Sequence, residues 1–133
     1  TMGAGKAGRR SLMPVKSSTS RVLRWPDRAA VDAAVRAWAQ RRAAVQPHLL
    51  RFGYFGSYAR GDWGVGSDVD LVAIVSCATR PFAERAPDFD LSGLPVPAEL
   101  IVYTEDEWAQ LLAEPRRFAR DIDAQAVWVF ERS

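Results

Sequence analysis

Apolar positions along this chain follow two rhythms, and the change from one to the other outlines the fold. From Asp27 onward, Val31, Ala34, Val35, Trp38 and Ala39 recur three and four residues apart, the spacing that puts side chains on one face of a helix. Asp27 is positioned to cap that helix, Pro26 biases Trp25 towards extended backbone, and Pro47 stops the helix after about Val45. Arg21-Val22-Leu23-Arg24-Trp25 reads as a short strand or an extended lead-in.

The rhythm then becomes continuous. His48 to Phe55 is an apolar and aromatic run of strand length, broken by the turn-permissive Gly56-Ser57-Tyr58-Ala59-Arg60-Gly61 and a loop from Asp62 to Ser67. Asp68 to Val75 predicts a second, largely buried strand. Cys77 to Pro97, crowded with prolines, predicts a loop with at most one short helix. Glu99 to Tyr103 predicts a third strand. Thr104 then caps a helix whose first turn holds Glu105, Asp106 and Glu107, where negative charge suits the helix dipole. Pro115 interrupts, a further helical turn or two runs through Phe118, and Ala126 to Phe130 predicts a closing strand. Strands alternating with helices predict an α/β (α+β) domain, a mixed sheet flanked by helices, over 19–133.

Composition narrows the function classes. The 133 residues suit one domain, and the net charge of +2 hides a basic first segment: Lys6, Arg9, Arg10, Lys16, Arg21, Arg24 and Arg28 against Asp27 alone. Residues 1–18 are expected to be a disordered, solvated tail, with Met13 reading as a native start. No aromatic residue interleaves these charges before Trp25, so they make no case for a nucleic-acid partner. One cysteine and one histidine exclude an internal disulfide and a Cys/His zinc site within one chain. No apolar run approaches the roughly 20 residues that span a bilayer. A cytoplasmic setting without membrane association is expected.

The candidate chemistry begins with Asp68 and Asp70. Two apart on a strand, they project from the same face. Neighbouring carboxylates repel unless a cation lies between them, and Mg²⁺, or Mn²⁺, favours such oxygen ligands together with substrate phosphates. By itself the pair reads more readily as two ordinary surface aspartates at a strand end. Gly56-Ser57, just after a strand, adds a turn whose backbone can approach phosphate oxygens, with a hydroxyl beside it. Arg60 reads as a phosphate clamp or an ion-pair partner. Ser67 reads as a residue that orients the site or as a plain turn serine. Tyr58 and Trp63 read as packing residues, with base stacking as the alternative. Arg42 and His48 share the spacing of a ribonuclease motif, but Pro47 separates them and the match is a coincidence.

Gly56-Ser57-Tyr58-Ala59-Arg60-Gly61, six further residues, then Asp68-Val69-Asp70-Leu71 resembles the signature of the polymerase-beta-like nucleotidyltransferase superfamily. It is especially similar to the minimal nucleotidyltransferases, some of which are antitoxins beside a helical HEPN-type chain. The resemblance implies nucleoside triphosphate at Gly56, Ser57, Arg60 and Ser67, and two metal ions on a carboxylate triad. Asp68 and Asp70 would be two members of that triad. Glu99, at the head of the next strand, is the expected third, as metal ligand, general base or both. The implied reaction moves a nucleoside monophosphate from a triphosphate, with ATP the expected donor, to an acceptor hydroxyl on a protein. A HEPN-like chain or a second copy would be the partner. Two alternatives remain: a non-catalytic nucleotide-binding or partner-masking module, and an aminoglycoside-type small-molecule adenylyltransferase.

Overall fold

The computed structural model describes residues 24–115 and 117–132. The basic tail and Arg21–Leu23 lie outside them. Arg24 and Trp25 form no strand, in keeping with the extended lead-in.

Helix α1 spans Arg28–Val45, and the Asp27 carboxylate accepts from the Ala30 N–H at 2.9 Å. This cap satisfies one of the amides that the first helical turn leaves free. Val31, Val35, Trp38, Ala39 and Ala43 form the buried stripe. They cover one face of a four-stranded sheet made of β1 (Leu49–Phe55), β2 (Val69–Val75), β3 (Ala98–Thr104) and β4 (Val127–Glu131). The strand order is β3-β2-β1-β4. β1 runs antiparallel to both β2 and β4, whereas β2 and β3 are parallel. The sheet is therefore mixed, as expected from the sequence.

Alternation along β2 assigns its side chains to two cores. Val69, Leu71, Ala73 and Val75 pack with Phe52, Tyr54 and the α1 stripe. Val72 and Ile74 face the other way, into a cluster with Tyr103, Trp108, Ala119 and Ile122. Asp70 shares the parity of Val72 and Ile74 and so belongs to this second face. That face is covered by α3 (Glu105–Ala113) and α4 (Phe118–Gln125).

A parallel pair needs a long crossover, and residues 76–97 provide it without an α-helix. Two 3₁₀ turns, Phe82–Glu84 and Ala86–Asp88, replace the one short helix expected there. Arg85 pins them: its Nη1 donates to Glu107 at 2.6 Å and to the Val102 carbonyl at 3.2 Å. Glu107 also closes the cap of α3, accepting from the Thr104 N–H at 2.8 Å while its own N–H donates to the Thr104 hydroxyl at 3.2 Å. Arg85 holds the Glu107 carboxyl well below its ordinary value, at about 2.

Helix α4 differs from the expectation. It begins at Phe118 instead of passing through it, and continues to Gln125. Ala119 and Ile122, three residues apart, anchor it to the second core. Among the described residues, no helix is long and apolar enough to cross a membrane.

Candidate active site

The site lies where β1 ends and β2 and β3 begin. β1 stops at Phe55, and Gly56 follows with φ +73° and ψ −148°. An L side chain resists that conformation. It also lacks room: a β-carbon on Gly56 would overlap Asp70 Oδ2 and lie 3.1 Å from Asp70 Cγ. Gly56 N-caps α2, the single turn Ser57–Arg60, and Gly61 at φ +90° ends it. The Gly56 carbonyl accepts from the Arg60 N–H at 2.9 Å. Its own N–H donates to Gln125 Oε1 at 2.7 Å. Ser57 is half-buried, and its hydroxyl is engaged by no other described residue.

Asp70 is half-buried in β2, opposite Phe55 on one side and Glu99 on the other. In a parallel pair, residues in register point to the same face, so Asp70 and Glu99 stand side by side. Asp68 lies just before β2 and is exposed, as is Glu99. Burial first, then the charges of Glu99 and Asp68, push the Asp70 carboxyl above its ordinary value, with Arg60 opposing. None of the three acids forms a salt bridge with a described residue. The three acids thus share one electrostatic field that, among the described cations, Arg60 opposes.

Among the described residues, no three Asp, Glu, His or Cys side chains converge into a ready-made metal cage. Mg²⁺ usually takes one or two carboxylates and completes its shell with water and substrate phosphates. A hard oxygen donor set beside a repelled, half-buried carboxylate fits such an ion.

The other candidates have structural partners. Arg60 is exposed, and its Nε lies 3.2 Å from Asp62 Oδ2. An open pair of this kind holds the side chain only weakly. The Ser67 hydroxyl accepts from the Gly64 N–H at 2.8 Å, and its carbonyl accepts from the Trp25 indole at 3.2 Å. Ser67 therefore clasps the loop that delivers Asp68. Tyr58 is buried, donates to the Pro26 carbonyl at 2.9 Å, and stacks on Trp63 with centroids 5.5 Å apart. Packing accounts for both rings. Arg42 binds Gln46 and the Asp88 carbonyl. His48 lies at the opposite end of β1 from Gly56, 2.8 Å from the Ser76 hydroxyl. Gln125 escaped the sequence reading, because a lone amide at a helix end carries no spacing that marks it.

Residues 39–123 match the family model described as a nucleotidyltransferase domain. The chain belongs to the nucleotidyltransferase domain family. The matched stretch contains the glycine turn and all three acids of this nucleotidyltransferase. Among solved structures, it is similar to a candidate nucleotidyltransferase from Sulfolobus solfataricus, with 20% identity and a TM-score of 0.57, over 79% of this chain and 84% of that one. At that identity the likeness is one of fold. A second structure, a toxin-antitoxin with AMP-PNP, gives 17% identity and a TM-score of 0.49, over 74% of each chain, too shallow a likeness to bear on function. No curated protein matches the sequence.

Proposed function

We propose that this nucleotidyltransferase moves a nucleoside monophosphate from ATP to a hydroxyl on a partner protein, with Mg²⁺ held by Asp68, Asp70 and the triphosphate, and Glu99 beside them as a further ligand or general base. The observation that carries this reading is the contact between the Gly56 turn and the Asp70 carboxylate, with Glu99 in register beside it. A phosphate-holding turn and an acidic cluster are useful to each other only when a cation and a polyphosphate lie between them.

The residues divide the work. Ser57 offers its hydroxyl and the turn its amides to the triphosphate, and Arg60 adds positive charge from the open side. Mg²⁺, when bound, neutralises phosphate charge and eases deprotonation of the acceptor. Glu99 is exposed and can serve as ligand or accept the acceptor's proton. The acceptor oxygen forms a bond to the α-phosphorus as the bond to pyrophosphate breaks.

Asp68 and Glu99 are open to solvent, and no second lobe among the described residues covers them. The acceptor therefore arrives from outside these elements. The resemblance to minimal nucleotidyltransferases extends the proposal to an antitoxin role beside a helical HEPN-type chain.

The test is transfer of label from α-labelled ATP to a co-expressed partner, with and without Mg²⁺. Transfer that needs the ion and disappears in Asp70→Ala supports the reading. Transfer retained by Asp70→Ala overturns it.

A further inference from the structure

Gly56 lies just beyond the last backbone pair between β1 and β4, Tyr54 with Val127. It is buried, and a buried N–H without an acceptor carries a heavy desolvation cost. The acceptor comes from a side chain. Gln125 is the last residue of α4, and its Oε1 receives the Gly56 N–H at 2.7 Å. After one intervening residue, Ala126, the chain enters β4. The amide thus extends the β1–β4 ladder by one step beyond where the strand can reach.

This bond adds a third restraint to the turn. The Gly56 carbonyl is committed to the Arg60 N–H. The α-carbon is pressed against Asp70. With the N–H fixed as well, the peptide on either side of Gly56 is locked. It also follows that the Gly56 N–H is not open to a phosphate in this arrangement, so the amides of the turn that remain for one are those of Ser57, Tyr58 and Ala59.

We propose that Gln125 is a positioning residue for nucleotidyl transfer, holding the Gly56-Ser57 turn against Asp70 from the β4 side of β1. This inference rests on the functional reading above. Gln125 need not touch substrate; it acts through Gly56.

The experiment uses the full chain and three variants. Gln125→Ala removes the acceptor, Gln125→Met keeps length without it, and Gln125→Glu keeps an acceptor. Amide exchange at Gly56 is followed by NMR, and transfer kinetics are measured with ATP and Mg²⁺. Gln125→Ala and Gln125→Met are expected to speed Gly56 exchange and raise KM for ATP about tenfold, as the loss of one buried hydrogen bond can do. Gln125→Glu is expected to retain Gly56 protection. Unchanged exchange in Gln125→Ala overturns the proposal. So does faster exchange with wild-type KM and kcat, because the bond would then be structural only. A wild type that transfers nucleotide while Gln125→Ala equals it removes only the role of Gln125. A wild type that neither binds ATP nor transfers it overturns the functional reading itself, and this inference with it.

Discussion

Gly56 and Asp70 are in such close contact that the glycine cannot gain a single carbon without striking the carboxylate. The pair also joins the two halves of the family motif, which the sequence separates by a loop. Gly56→Ala meets two obstacles, the positive φ and the overlap. It is expected to cost about 1–3 kcal/mol of stability and to lower transfer at least about a hundredfold, since the turn must shift away from the acid. Thermal unfolding and label transfer measure both. Wild-type values for each would show that the contact is dispensable.

Asp70→Asn separates the charge from the shape. The amide keeps the size but relieves the repulsion from Glu99 and Asp68 and the burial of a charge. Without Mg²⁺, the melting temperature at neutral pH is expected to rise by about 2–5 °C. Transfer is expected to fall by about a thousandfold or more. A lower melting temperature in metal-free buffer would contradict the electrostatic account.

Glu99 can be examined by charge and by length. Glu99→Gln is expected to lower kcat about a hundredfold while KM for ATP changes by less than about threefold, the pattern of a group acting mainly on the acceptor proton. Should KM for Mg²⁺ rise instead, with kcat restored at high metal, the side chain is chiefly a ligand. Glu99→Asp, which retracts the carboxylate, is expected to fall between Glu99→Gln and wild type in kcat.

Stability should also respond to acid at a site remote from the chemistry. Arg85 and the Thr104 amide hold the Glu107 carboxyl at about 2, against an ordinary value of 4.5. A depressed carboxyl contributes fully above the ordinary value and loses that contribution as pH falls towards about 2. Glu107→Gln is expected to cost about 1–2 kcal/mol at pH 7, because Arg85 is buried while Glu107 is partly open to solvent, which screens the pair. The gap between variant and wild type should narrow as pH drops from 5 towards about 2. A gap that is constant across that range would assign the effect to packing.

The sequence makes some of this legible and hides the rest for physical reasons. The cap at Asp27 and the stripe from Val31 to Ala43 are local, and local rules find them. Strand alternation gives Asp70 its face, whereas Asp68, expected at the head of the same strand, lies just before β2 and outside that alternation. The pairing of Asp70 with Glu99 does not follow from alternation, since register between separated strands depends on how the 76–97 crossover packs. The family resemblance asks for a third acid, and the place of Glu99 at the head of an apolar strand singles it out. Crossover geometry likewise hid the two 3₁₀ turns, which take shape around the Arg85–Glu107 pair. Tyr58 and Ser67 look available in the sequence because their partners, the Pro26 carbonyl and the Gly64 amide and Trp25 indole, are set by tertiary placement. The start of α4 is poorly marked in the sequence because only Ala119 and Ile122 are buried along it.

The parallel strand pair has a kinetic consequence. β1 and β2 can zip together as neighbours in the chain, bringing Gly56 to Asp70 early. Glu99 joins only after the intervening segment has closed a large loop, a slow kind of event in folding. A chain caught before that closure would carry the glycine turn and two of the three acids, yet lack the third. Competence for nucleotidyl transfer should therefore appear in refolding after the hairpin's own spectroscopic signal, and in step with docking of the outer strand.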